Sequence, residues 1–287
     1  MNINIGKIRE FIKQALAEDV GQGDITSTIL VAPDEKAMAA IKVKETAVIC
    51  GLDIAEEVFR LCSVECGDKR EELEFEKIVK DGSEVSAGTI IATVSGRARA
   101  ILMAERTVLN FLQVLSGTAT LTRKFVQEVQ KAASKTRVYD TRKTIPNMRY
   151  LQKYAVKCGG GWNHRMGLWD MVLVKDNHLQ LPDTWAMLSG IKKKLPDKMP
   201  VEVEVKNLKE LEAVLKEDVD IIMLDNMSID QLKHAIKQIN NKCEIEVSGG
   251  INFSNIKEYA KLGVDRLSVG ALTHSLKAVD IGMDIVI

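Results

Sequence analysis

The chain has 287 residues, 46% of them hydrophobic, with 19 glycines, 5 prolines and equal numbers of basic and acidic side chains, 40 of each. That length allows roughly two domains, or one barrel of about 250 residues with an appendage, and the composition excludes a disordered, collagen-like or disulfide-stapled chain. A net charge of zero excludes global attraction to nucleic acid or to an anionic membrane, so any anion site must come from local clustering of cations.

Residues 7–18 (KIREFIKQALAE) place Ile8, Phe11, Ile12, Ala15 and Leu16 on one helical face, which predicts an opening amphipathic helix. GQGDIT at 21–26 lacks a preceding strand and the third glycine of a dinucleotide fingerprint, so it reads as a helix stop and a turn. AAIKVK, FEKIVKDGSEV and TIIATVSG read as short strands, with a helix near DIAEEVFRLC, together a small α+β unit. Residues 99–132 are helical by period, with Ser116-Gly117-Thr118 expected to break that stretch into two helices. No apolar run approaches about 18 residues and no cleavable leader opens the chain. Five scattered cysteines (Cys50, Cys62, Cys66, Cys158, Cys243) lack metal-ligand spacing, and the expectation is a cytoplasmic protein with reduced thiols.

From about residue 136 the rhythm changes. RVYDTRK, MVLVKDNH, VEVEVKN, DIIMLDN, CEIEVSGG and RLSVGAL are strand candidates, and LKELEAVLKE, IDQLKHAIKQI and FSNIKEYAKL are helix-length stretches between the later ones. Such alternation predicts parallel β/α units. The expected fold class is α/β, a C-terminal β/α barrel, TIM-like and complete or incomplete, joined to a smaller N-terminal α+β sandwich domain. The expected division is 1–113 and 114–279, with a strand near 280–287 returning to the first domain.

Polar or glycine residues recur at the strand C-termini: Thr141-Arg142-Lys143, Lys175-Asp176-Asn177, Glu204, Asp225-Asn226, Ser248-Gly249-Gly250 and Gly270. In β/α barrels that rim builds the site. Any one of its cations alone would be a solvated surface charge, but Arg142, Lys143, Arg165 and Lys175, with His164 beside them, predict a polyanionic ligand. Glu204 and Asp225 end neighbouring strands and can share a hard cation, Mg²⁺, which commonly takes few protein ligands; the alternative is helix capping or an ion pair to Lys175. Ser248-Gly249-Gly250 and Gly270-Ala271 offer backbone N–H groups to a phosphate, or simply make tight turns. Gly159-Gly160-Gly161 positions His164 and Arg165, and Trp162 and Trp169 read as packing residues rather than walls for an aromatic ligand. The P-loop lysine motif, paired CxxC and HExxH are absent.

In order, EDVGQGDITS (18–27), ERTVLNFLQVLSGTAT (105–120), DTRKTIPNMRYLQKYAVKCGGGWNHRMGL (140–168), LVKDNH (173–178), EVEV (202–205), LDNM (224–227), EVSGGI (246–251) and SVGALTHS (268–275) resemble the blocks of the quinolinate phosphoribosyltransferase family over essentially the whole chain. The sequence departs from that pattern at Asn147-Met148, where Gly-Leu is commoner, and at Trp169, where a smaller residue is common; Asn tolerates the left-handed conformation glycine would supply.

The resemblance implies transfer of phosphoribosyl from its pyrophosphate donor to quinolinate with decarboxylation, in de novo NAD biosynthesis, with Mg²⁺. It implies that Arg142, Arg165 and Arg106 grip the quinolinate carboxylates with Lys175, and that Thr141 and His164 bind substrate. Ser248, Gly249, Gly250, Gly270 and Ala271 would take the 5-phosphate, and Mg²⁺, Glu204, Asp225 and Lys143 the pyrophosphate; Lys143, Lys175, Glu204 and Asp225 would be catalytic. Because the counterpart of Arg106 enters a neighbouring subunit's pocket, a homodimer with shared active sites is implied, with the hexamer as a larger alternative. Two rivals are weaker. A sister pyrophosphorylase, such as the molybdenum-transport-associated relatives, is opposed by the intact Thr141-Arg142-Lys143 and His164-Arg165 blocks. A non-catalytic binder of RNA is opposed by zero net charge and by the Glu204/Asp225 pair. No nucleic-acid or membrane partner is expected.

Overall fold

The computed structural model describes residues 3–67, 73–132, 135–196 and 198–286. They form two compact units: Met1–Leu121 with Leu151–Gly160 and Leu276–Ile287, and Thr122–Tyr150 with Gly161–Ser275.

In the first unit α1 (Arg9–Val20) buries Ile12 and Leu16 and ends at Gly21, whose φ of 53° is one that an L side chain resists. Asp24 then caps α2 (Ile25–Leu30) by accepting the Ser27 N–H at 2.9 Å, so GQGDIT is a stop, a turn and a new start. The strands β1 (Lys36–Val43), β2 (Ala47–Val48), β3 (Glu74–Lys77), β4 (Glu84–Val85) and β5 (Ile90–Arg97) surround α3 (Leu52–Glu65) in sequence. β1 and β3 flank β5 in an antiparallel sheet, and α3 sets Phe59 against Phe75 of β3 with ring centroids 5.8 Å apart.

Helix α4 (Ala98–Lys131) is continuous, so the break expected at Ser116-Gly117-Thr118 is corrected. A Cβ on Gly117 would lie 2.3 Å from the Lys277 carbonyl oxygen, and the Ser116 hydroxyl accepts the Cys50 N–H at 3.0 Å. The glycine therefore marks a close passage of the returning chain rather than a stop.

The second unit is a parallel sheet of β6 (Arg137–Tyr139), β7 (Val172–Val174), β8 (Val201–Val205), β9 (Ile221–Asp225), β10 (Glu244–Ser248) and β11 (Arg266–Ser268), in spatial order β6-β11-β10-β9-β8-β7. This is the cyclic order of a barrel with no β6–β7 ladder among the described residues. Along the free edge of β6 the chain at Trp162 pairs instead, its N–H donating to Val138 at 2.8 Å and its carbonyl accepting from Asp140 at 3.0 Å. The strands are short, Val- and Ile-rich and buried on both faces, as a parallel sheet requires; β8 is buried at every position.

The connections carry α5 (Arg149–Cys158), α6 (Asp176–Leu179), α7 (Thr184–Leu188), α8 (Leu208–Val214), α9 (Ile229–Ile239), α10 (Ile256–Ala260) and α11 (Ala271–His274). In α9, Ser228 and Gln231 form a capping box, and Leu232, Ala235 and Ile239 make the buried stripe. Asn147 has a φ of 63°, the left-handed conformation expected there. The chain ends in β12 (Ile281–Val286), antiparallel to β1 from Met38↔Val286 to Val43↔Ile281. Among the described residues no helix is long and apolar enough to cross a membrane.

The close passage at Gly117 makes a stability prediction. Gly117→Ala should lower the unfolding free energy by about 1–3 kcal/mol, the usual cost of overpacking, despite alanine's better helix propensity. Urea denaturation of the two proteins checks it, and an unchanged or raised midpoint would show that the contact is dispensable.

Candidate active site

The C-terminal ends of the parallel strands surround a cavity of about 300 Å³. Thr141, Arg142, Lys143, His164, Arg165, Lys175, Glu204, Asp225, Ser248, Gly249 and Gly250 all line it, although they come from widely separated stretches of sequence. Gly270 and Ala271 are not among its lining residues. Gly270 stands beside it all the same, since a Cβ there would lie 3.3 Å from Cδ of Lys143. Arg106 belongs to α4 in the first unit, where its guanidinium is 68% exposed and pairs with Glu105 at 2.9 Å.

The cations are held rather than merely gathered. Asp140, fully buried just beyond β6, accepts the His164 N–H at 2.9 Å and the Asn163 side-chain amide at 2.6 Å, and so fixes the loop that carries Arg165. Arg149 opens α5 and donates to Thr144 Oγ1, the Met166 carbonyl and the Arg142 carbonyl, bracing both loops. The Thr273 hydroxyl holds the Lys143 carbonyl at 2.7 Å.

What these scaffolding bonds leave over is the chemistry. Arg165 is 8% exposed and gives Nη1 to the Met171 carbonyl, yet its buried Nε, like that of Arg142, has no hydrogen-bond partner in the protein. Burial, and next the charge of Arg142, push the Arg165 pKa down. Two adjacent guanidiniums with donors to spare are a receptor for carboxylates. Opposite in charge, Glu204 lies 3.8 Å from Lys175 Nζ; its pKa is raised by burial, and Asp225 adds repulsion while Lys175 opposes it. A hard cation would relieve that repulsion.

At the far end Gly249 has a φ of 93°, and a Cβ there would fall 2.3 Å from Asn226 Oδ1, so only glycine lets these two strand ends meet. The larger concavity, about 590 Å³, is different: of its charged lining residues, Lys192 is bonded to Asp220 and Arg266 to Glu244, which leaves Lys198 as a single cation rather than a cluster.

Beneath the rim lies a layer that the sequence reading missed. Glu202 and Glu246 are fully buried, and His164 Nε2 lies 2.9 Å from Glu202 and 3.6 Å from Glu246. His164 Nδ1 accepts the Arg165 N–H at 2.8 Å, so the neutral ring carries its proton on Nε2, towards the acids. Burial pushes the Glu202 carboxyl up to about 7 and the Glu246 carboxyl to about 8, with Glu202 adding to the second. Ser268 donates to Glu246. The signal existed in VEVEV, where strand alternation puts Glu202 on the face of Glu204 one layer lower. Asp140 and Thr273 act through backbone groups and had no such signal. Trp162 lies against Tyr139 and Arg137 as a packing residue would, whereas Trp169 covers only Gly167 and is 72% exposed, so the packing expectation is corrected for Trp169.

The family description "Quinolinate phosphoribosyl transferase, N-terminal domain" matches residues 24–116, and the C-terminal domain of the same family matches 118–284. A probable nicotinate-nucleotide pyrophosphorylase [carboxylating] of Methanocaldococcus jannaschii is 43% identical over 96% of both chains. A nicotinate-nucleotide pyrophosphorylase [carboxylating] of Mycobacterium leprae is 38% identical over 96% of both. Among solved structures, the nicotinate-nucleotide pyrophosphorylase of Francisella tularensis superposes with a TM-score of 0.89 at 39% identity, covering 99% of this chain and 98% of that one.

The buried acids predict a pH dependence of stability. Their folded pKa values of about 7 and about 8 stand above the ordinary 4.5, so the folded state holds protons that the unfolded chain has released. Between those limits ∂ΔG/∂pH is negative, and stability should fall as pH rises from about 5 to about 8. Urea midpoints across that range check it, and Glu246→Gln should flatten the decline. An equally steep fall in that variant would place the titration elsewhere.

Proposed function

The chain belongs to the quinolinate phosphoribosyltransferase family, and from that premise we propose that it transfers phosphoribosyl from phosphoribosyl pyrophosphate to quinolinate with decarboxylation, giving nicotinate mononucleotide, pyrophosphate and CO₂ in NAD biosynthesis. The observation that carries the assignment to this cavity is the pair of arginines lining it, half-buried Arg142 and buried Arg165, each with a buried Nε that has no acceptor among the described residues. Two carboxylates on one aromatic ring supply what they lack, with Lys175 as a further cation.

Glu204 and Asp225 would hold Mg²⁺ on the donor side, a reading supported by their mutual repulsion. The ion supplies neutralisation of charge on the pyrophosphate. Lys143, its carbonyl pinned by Thr273, would reach the same leaving group with its ammonium, and the Ser248-Gly249-Gly250 turn that lines the cavity, with Gly270 beside Lys143 and Ala271 next to it in sequence, would take the 5-phosphate. Thr141 fixes the Lys143 N–H at 3.1 Å, and His164 fixes Arg165. As pyrophosphate leaves, the oxocarbenium-like carbon is attacked by the pyridine nitrogen that the arginines have oriented. The quaternised nitrogen then stabilises the carbanion left at C2, so loss of CO₂ follows from the substrate's own electronics. None of the five cysteines is in a disulfide, which fits a cytoplasmic setting.

Product formation from quinolinate and phosphoribosyl pyrophosphate with Mg²⁺, run against nicotinate as the competing acceptor, tests the reading; turnover of nicotinate alone would overturn it. Within that assay Arg142→Ala should weaken quinolinate binding by about 1.5–3 kcal/mol, the range for a hydrogen bond to a charged group. Lys143→Ala should chiefly lower kcat, because charge on the departing pyrophosphate grows towards the transition state. Wild-type kcat with lost quinolinate affinity in Lys143→Ala would reverse the assignment.

The exposed guanidinium of Arg106 supports a homodimer in which it completes a neighbour's site. Mixed dimers of inactive Arg106→Ala and inactive Lys143→Ala chains should recover part of the activity. No recovery in confirmed heterodimers counts against sharing.

A further inference from the structure

In the first unit Cys50, Asp81 and Cys158 bring two Sγ atoms and a carboxylate oxygen within 4.8 Å of one another, a cluster the proposed reaction does not use. Its members are unequal. The Asp81 carboxylate already accepts the Gly51 N–H at 2.9 Å, the Leu52 N–H at 3.1 Å and the Tyr154 hydroxyl at 2.8 Å, so it is committed to the start of α3 rather than offered to a metal. That leaves two thiols.

Cys50 is fully buried on a pinned backbone: its N–H donates to Ser116 Oγ at 3.0 Å, and Ile49 donates to Ser83 at 2.9 Å and accepts from Gly82 at 2.8 Å. Cys158 is partly exposed and is the last residue of α5, followed by three glycines that let a helix end readjust. Burial raises the Cys50 thiol pKa, whereas the hydrogen bond from Cys50 lowers that of Cys158. A partly exposed thiol of lowered pKa beside a buried partner thiol is the arrangement of a redox-responsive cysteine and its resolving cysteine.

We propose that Cys158 and Cys50 form a peroxide-responsive dithiol, closing an intramolecular disulfide that lowers turnover. The Cys158 thiolate attacks one peroxide oxygen, breaking the O–O bond to give the sulfenic acid and hydroxide, which takes a proton from solvent. Cys50 sulfur then attacks the Cys158 sulfur and its proton leaves with the displaced hydroxide as water; two thiols are oxidised and one peroxide is reduced to two waters. The effect on turnover rests on the function proposed for the cavity, and the disulfide itself does not. The Sγ atoms must close to about 2.05 Å, which displaces the end of α5. Arg149 at the start of that helix braces the Arg142 carbonyl, and only residues 159–163 separate its end from His164.

The reduced full chain is treated with hydrogen peroxide, alkylated and digested without reductant. The expected product is a Cys50–Cys158 cross-linked peptide and an intact mass lower by two hydrogens. Quinolinate-dependent turnover falls in proportion to the cross-linked fraction and returns with dithiothreitol. In Cys50→Ser the cross-link is absent and dimedone adds at Cys158. Full alkylation of both thiols after peroxide, or pairing of Cys158 with another cysteine, overturns the disulfide; a complete disulfide with unchanged turnover overturns the switch. Reduced protein inactive from the outset overturns the functional reading instead, while the peptide map still decides the disulfide.

Discussion

Two guanidiniums, those of Arg142 and Arg165, must share one cavity at the C-terminal ends of the parallel strands. Burying Arg165 beside half-buried Arg142 in this way costs stability, since each keeps an Nε without an acceptor among the described residues and the charge of Arg142 disfavours that of Arg165. On a pliable loop the pair would swing apart into water. It persists because the surroundings are over-determined: Asp140 anchors the backbone before Arg165, the Met171 carbonyl takes one of its donors, and Arg149 ties the Arg142 carbonyl to the start of α5. The strain is local, and the rigidity comes from strands such as β8 that are buried at every position.

Elsewhere in the same unit charge is treated differently. Glu244 is bonded to both Arg137, at 3.0 Å, and Arg266, and the Arg266 guanidinium lies 4.9 Å from the Tyr139 ring centroid. Lys192 is shared between Asp218 and Asp220, both at 2.8 Å. These groups find their counter-charges within the chain and contribute little beyond local order. Glu202 and Glu246 are the intermediate case: they are deep, too close to be ionised together without cost, and placed where their protons stabilise a neutral His164 that in turn holds Arg165. The barrel is thus layered, from paired charges through proton-holding acids to unpaired cations at the rim.

How far this could be read from the sequence depends on what each residue answers to. The six parallel strands were legible because burial on both faces demands runs such as VEVEV and DIIML, and the rim residues were legible because a β/α unit always delivers its strand end to the same side. Gly117 was not. Glycine signals a need for space or for an unusual φ without saying which, and here the need was set by Lys277, far along the chain. Gly249 is the opposite case, where both needs coincide. Asp140 and Thr273 were silent for a related reason: each satisfies a backbone group whose position exists only once the loops are folded.

The charge balance at the rim bears on what the cavity can hold at once. Arg142, Lys143, Arg165 and Lys175 set against Glu204 and Asp225 leave 4 − 2 = 2 positive charges among these lining residues, with His164 neutral. A dicarboxylate alone would cancel that surplus. A phosphorylated donor entering the same space would then meet a site with no positive charge left over, beside two acids that repel it. At a low effective dielectric that repulsion is not screened away. A divalent cation on Glu204 and Asp225 would cancel their two charges, 2 − 2 = 0, and free the cationic surplus for the donor, which would give those two acids a reason to stand in a site otherwise built for anions.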